Sequence, residues 1–142
     1  MGERSNLPLK GSSYSLEAWI KPRNNKIKNR GIVGWGQIGR KHEVNDLRIT
    51  TDGFENSWSG DTLKRKSSNL WDGKYHHVAA VYDQSSKTHR LFVDGAMVGN
   101  EDNAKTNSKF DLRKYHVMTK NNFCVGATNR REFWDGWIQD LK

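Results

Sequence analysis

Tyr75-His76-His77-Val78-Ala79-Ala80-Val81-Tyr82-Asp83, a polar link over 84–87, and Arg90-Leu91-Phe92-Val93-Asp94-Gly95-Ala96-Met97-Val98 decide how this chain folds. In the first segment His77, Ala79, Val81 and Asp83 alternate with Val78, Ala80 and Tyr82. Both sets are partly apolar, which suits a strand covered on its two faces. Asp94-Gly95 supplies the two positive φ angles of a tight hairpin turn, a conformation that costs glycine almost nothing. The stretch therefore reads as successive antiparallel strands.

The same alternation recurs on either side. Tyr14, Leu16, Ala18 and Ile20 fall on one face of a strand with Trp19 opposite, and Pro22 closes the run. Gly31 to Gly36 is a short apolar run with three glycines, the mark of close packing against a strand. Leu47 to Thr51 meets Asp52-Gly53, a strong hairpin dipeptide, and Phe54 to Trp58 returns. Phe123 to Ala127 and Trp137 to Leu141 finish the chain. No segment keeps the 3.6-residue helical period over about ten residues. Short strands joined by Asx-Gly turns predict an all-β fold, a two-sheet antiparallel sandwich or jelly roll. Residues 21–42 and 99–122 are the poorest in strand signal and read as loops.

Composition narrows the class. The 142 residues predict one domain over 1–142, and 24 basic against 16 acidic side chains leave a net charge of +8. A membrane span needs about 20 apolar residues in a row, and the runs here are far shorter, so membrane insertion is not expected. Residues 1–20 lack the basic start and apolar stretch of a secretory signal, so a leader is expected to be absent or already removed. Cys124 is the single cysteine, which excludes an intrachain disulfide, a cysteine-based zinc site and a Cys-X-X-Cys pair. Between Phe123 and Val125 it reads as a small buried hydrophobe. None of the 13 asparagines opens an Asn-X-Ser/Thr acceptor.

Several blocks, in the right order, resemble a known family. Ser15 to Pro22 is similar to the opening strand of laminin-G-like jelly rolls. Tyr75 to Asp83 with Arg90 to Val98 resembles their central hairpin. Val125-Gly126-Ala127 followed by Phe133 to Leu141 resembles their closing segment, and Leu47-Arg48-Ile49 to Asn56-Ser57-Trp58-Ser59-Gly60-Asp61 is similar to a subgroup that carries an "NYWWGND" block there. The resemblance covers residues 13–141 and implies the concanavalin A-like lectin/glucanase sandwich. It also implies an extracellular or cell-surface setting. The family usually has a strand before residue 13 and a completed strand after Leu141. Here both are short or missing, which points to a trimmed domain or a piece of a larger protein. An unfinished edge invites pairing with another chain, so an edge-strand oligomer is one expected partner.

Catalytic patterns are missing. Glycoside hydrolysis needs two carboxylates about 5–10 Å apart across one bond. Hydrolases of this superfamily carry Glu-X-Asp-X(1–2)-Glu on one strand, and Glu43, Asp46 and Asp61 do not reproduce that spacing. His42, His76, His77, His89 and His116 show no zinc-ligand pattern. His76 and His77 point to opposite faces of one strand, one buried and hydrogen-bonded, the other at a rim. No Gly-X-Ser-X-Gly elbow is present, and Gly34 to Gly39 has no helix behind it to make a phosphate loop. The expectation is a binding module, not an enzyme.

Three ligand classes remain. Sugars stack their C–H faces on aromatic rings and hydrogen-bond Asn, Asp and Arg. Trp35, Asn56, Trp58, Asp61, Trp71 and Trp134 offer such groups near loops or strand ends, while Trp19, Trp35 and Trp137 are also read as core. Calcium at the rim, as in some relatives, would call on Asp46, Asp61 and Asp135, against a competing role in turns where Asp precedes Gly. Lys26, Lys28, Arg30, Arg40 and Lys41 form a basic stretch suited to nucleic acid or a sulfated polyanion, with Lys64-Arg65-Lys66 as a second cluster. The leading expectation is a lectin-like module that recognises a glycan or glycosylated protein. A polyanion binder and a structural protein-interaction domain are the alternatives.

Overall fold

A computed structural model describes residues 12–23, 29–36, 44–58, 61–66, 70–102, 123–128 and 132–142. Its first five-stranded sheet runs β12 (Gly136–Gln139), β1 (Tyr14–Pro22), β6 (His76–Asp83), β7 (Thr88–Val93) and β8 (Ala96–Asp102). The second runs β5 (Asp61–Lys66), β4 (Gly53–Trp58), β3 (Val44–Ile49), β2 (Arg30–Gly36) and β9 (Cys124–Val125). A small ribbon of β10 (Ala127–Thr128) and β11 (Glu132–Phe133) lies over β2. Every pairing is antiparallel.

Alternation sorts the side chains as expected. In β1, Tyr14, Leu16, Ala18 and Ile20 are buried, and they meet Val78, Ala80 and Tyr82 of β6. The second sheet answers with Ile32, Val33, Leu47, Ile49, Phe54 and Leu63. Each large apolar side chain removed from water contributes about 1.5–3 kcal/mol, so this shared interior holds the layers together. The Asp94-Gly95 turn has φ of 50° and 79°, the paired positive values that join β7 to β8.

One polar network crosses the interior. The Asn56 side-chain oxygen accepts from Tyr14 Oη at 2.6 Å and from His89 Nε2 at 2.8 Å. Its amide donates to Asn45 Oδ1 and to the Asp46 carbonyl, both at 2.7 Å. Asn56 therefore has its full set of partners away from water, as a buried amide requires.

Two features depart from the sequence reading. Lys64-Arg65-Lys66 belongs to β5, the edge of the second sheet, where Lys64 and Lys66 face solvent and Leu63 reaches the core. Charged side chains on an edge discourage pairing with other sheets. Strand β8 also runs on through Gly99 to Asp102, into a region read as loop.

Candidate functional site

The outward face of the first sheet begins at β1. Since Leu16, Ala18 and Ile20 point inward, Glu17, Trp19 and Lys21 point outward. Register places Lys21 opposite Trp137 of β12 and Trp19 opposite His77 of β6. Lys21 Nζ stands 5.2 Å from the Trp137 ring centroid and 5.4 Å from that of Tyr75. Trp19 leans on the His77 ring with centroids 5.3 Å apart. Trp19, Tyr75 and Trp137 stay 41, 42 and 50% exposed. One sheet face thus presents two aromatic rings against an ammonium group, with a third, Trp19, two residues along the same face. Further along it, Phe92 is half-buried and Met97 is exposed.

The backbone around this platform is tightly set. Gly136, opposite Pro22, has φ of 139°, and a Cβ there would run into the Lys21 carbonyl oxygen. Only glycine lets β12 lie this close to β1. Past β12 the chain stays on β1, with Glu17 and Lys142 exchanging backbone hydrogen bonds of 3.1 and 3.0 Å. The Glu17 carboxylate faces His77 Nε2 at 3.6 Å and Lys142 Nζ at 3.4 Å.

Tyr75 is anchored by its neighbour. His76 Nδ1 meets Asp94 Oδ2 at 2.7 Å and Nε2 meets Asp72 Oδ1 at 2.9 Å, so both ring nitrogens face carboxylates. Burial pulls the His76 pKa down, but the hydrogen bonds to Asp94 and Asp72 outweigh it and raise it above the ordinary value. His76 is buried and bonded as expected, while His77 lies half-buried on the outward face of the sheet's middle strand, against Trp19, and not at a rim.

A second cluster lies on the outward face of the other sheet, beneath β10 and β11. Arg48 pairs with Glu55 and, at 2.9 Å, with Glu132 Oε2. Glu132 also accepts from Thr128 Oγ1 at 2.6 Å and from Asn29 Nδ2 at 3.1 Å. Burial tends to raise the Glu132 pKa, but these donors outweigh it and leave it below the ordinary value. Asp46 lies 3.8 Å from Arg48, and burial pushes its pKa up to about 7 against the pull of that guanidinium. Arg48 is thus committed to protein carboxylates, and Asp46 and Glu55 are almost fully covered.

The nominated residues divide between surface and interior. Trp35 is core at 1% exposure, and Trp71 is core too, its indole donating to the Thr50 carbonyl at 2.9 Å. Asn56 is spent on the interior network, so burial removes these three as surface sugar contacts. Trp134 is half-buried against the core. Trp58 lies in β4 and Asp61 in β5, but their side chains are outside the described residues.

Trp19 and Trp137, read as core alongside Trp35, are instead on the surface. Asp46 faces Arg48, and Asp135 Oδ1 lies 3.4 Å from Arg23 Nε. Among the described residues, no three His, Cys, Asp or Glu side chains gather as a set that could hold a metal. Of the basic stretch only Arg30 is described, half-buried at the start of β2; Lys26, Lys28, Arg40 and Lys41 lie outside the described residues.

Similarity to known proteins follows the architecture. The leech intramolecular trans-sialidase, solved with 2,7-anhydro-Neu5Ac, matches at TM-score 0.71 and 19% identity, over 92% of this chain and 21% of that one. This chain thus spans about a fifth of that enzyme's length. The Ruminococcus gnavus IT-sialidase CBM40 bound to alpha2,3 sialyllactose matches at TM-score 0.66 and 15% identity, over 92% and 72% of the two chains. Domains LG4-5 of the mouse laminin alpha1 chain match at TM-score 0.56 and 18% identity, over 95% and 36%. At such identities the likeness is one of fold. No curated protein matches the sequence. A family model described as the concanavalin A-like lectin/glucanases superfamily matches residues 3–142, and with its two-layer sandwich the chain belongs to that superfamily's laminin G-type family.

Proposed function

We propose that this protein is a non-catalytic glycan-binding module whose ligand lies on the outward face of the first sheet. The observation that carries the reading is the exposure of Tyr75 and Trp137 beside Lys21, with Trp19 exposed on the same face. Pyranose rings have apolar C–H faces that pack on indole and phenol rings. Their hydroxyls need polar neighbours, which Glu17, His77 and Gln139 provide on the same face. Solved structures of the same fold include a carbohydrate-binding module bound to sialyllactose, which supports a sugar as ligand class. The recognition surface differs from the rim loops the sequence suggested. Rings fixed on paired strands are already ordered, so little freedom is lost when a ligand settles.

A glycan microarray probed with the wild-type chain and with a Trp19→Ala, Trp137→Ala double variant tests this. Binding to at least one glycan that the variant loses is the expected result. Wild-type binding left unchanged by the double substitution, or no glycan bound at all, would overturn it.

A further inference from the structure

We infer that the ligand of this aromatic face carries an anionic group, a carboxylate or a sulfate ester, that seats on Lys21 Nζ. The inference rests on the proposed glycan-binding reading and adds the charge class of the sugar. It follows from how the cations near the platform are partnered. Arg23 lies against Asp135 at 3.4 Å and Lys142 against Glu17 at 3.4 Å, so each has a carboxylate of its own. Lys21 has aromatic rings instead, and among the described residues no carboxylate lies within ion-pair distance of its ammonium.

Aromatic faces orient a cation without cancelling its charge, because the ring quadrupole offers partial negative potential and no net charge. Lys21 is half-buried between strands, opposite Trp137, so its long stem is already held. A lysine side chain carries considerable rotamer entropy, and holding the stem spends part of it before a ligand arrives. Glu17, two residues beyond Trp19, is the nearest acid on β1's outward face, and His77 and Lys142 draw it away. A sugar ring lying on the exposed part of Trp137 would bring an acidic substituent to an ammonium that still wants a counter-charge. The chain's net charge of +8 adds a favourable long-range field for such a ligand.

Calorimetric titrations with 3'-sialyllactose, 6'-sulfated N-acetyllactosamine and lactose, at 50 and 300 mM salt, test the inference on wild type, Lys21→Met and Trp137→Ala. At least one acidic sugar should bind wild type tenfold or more tighter than lactose at low salt. The advantage should shrink at high salt and vanish in Lys21→Met. Preference for one acidic probe over the other tells carboxylate from sulfate. Lactose binding as tightly as both acids, or an acid preference surviving in Lys21→Met, would overturn the inference. If Trp137→Ala still abolished that binding, the glycan reading would stand without it. No binding by any of the three sugars counts against both.

Discussion

Lys21 and Trp137 face each other across the β1–β12 ladder, with the ammonium 5.2 Å from the indole centroid. This pair fixes the middle of the exposed platform, and it contributes binding surface more than stability. A cation–π contact at an exposed site is worth about 0.5–1 kcal/mol. Trp137→Ala should therefore lower the unfolding free energy by about 1 kcal/mol or less. The same substitution should weaken glycan binding by tenfold or more. Urea unfolding beside calorimetry checks both halves, and a large stability loss would mean that Trp137 is structural.

Gly136 should be intolerant of a side chain. Its φ of 139° and the nearby Lys21 carbonyl leave no room for a Cβ. Gly136→Ala is expected to cost at least about 1 kcal/mol and to displace β12 with Trp137. Binding should then fall although every platform side chain is still present. Wild-type stability and binding in this variant would show that the close approach of β12 to β1 is unimportant.

His89 is buried in the core network, and burial pulls its pKa down to about 3. The unfolded chain takes up this proton near pH 6.5, while the folded chain refuses it. The histidine thus favours the fold above pH 6.5, and that contribution falls by about 1.4 kcal/mol per unit as pH drops towards 3. Urea unfolding at pH 7 and pH 5 should show a smaller acid-induced loss for His89→Gln than for wild type. Equal losses would contradict the assignment.

Asp46 should act in the opposite direction. Its pKa of about 7 in the fold exceeds the ordinary 3.8, so between these values the folded state binds the extra proton. Stability from this group declines as pH rises through that window and is flat above it. Asp46→Asn, which cannot ionise, should gain on wild type as pH goes from 5 to 8. Thermal melts of the two proteins across that range would show a widening gap, and parallel curves would refute it.

The fold was largely legible because period-2 spacing and Asx-Gly turns are local signals. Tyr14, Leu16, Ala18 and Ile20 declare the buried face of β1 and, by the same count, put Trp19 outside. That count also placed Lys21 beside Trp19, a signal that could have nominated the platform. What it could not supply was the partner strand: Trp137 joins Lys21 only through a pairing between chain ends. Trp71 and Asn56 show the reverse problem. A place near predicted loops or strand ends made them look like surface, yet the Thr50 carbonyl and the Tyr14–His89 network satisfy them inside. Strand β5 went unread because an edge strand with alternating lysines needs a single inward Leu63.

Indole N–H resonances offer the most direct test, since the tryptophans divide between platform and interior. In nitrogen-15 NMR titrations with 3'-sialyllactose and with 6'-sulfated N-acetyllactosamine, the Trp19 and Trp137 signals should move progressively with at least one sugar while those of Trp35 and Trp71 stay in place. Shifts confined to Trp58 or Trp134, or no movement at millimolar sugar, would contradict a binding face built on β12, β1 and β6.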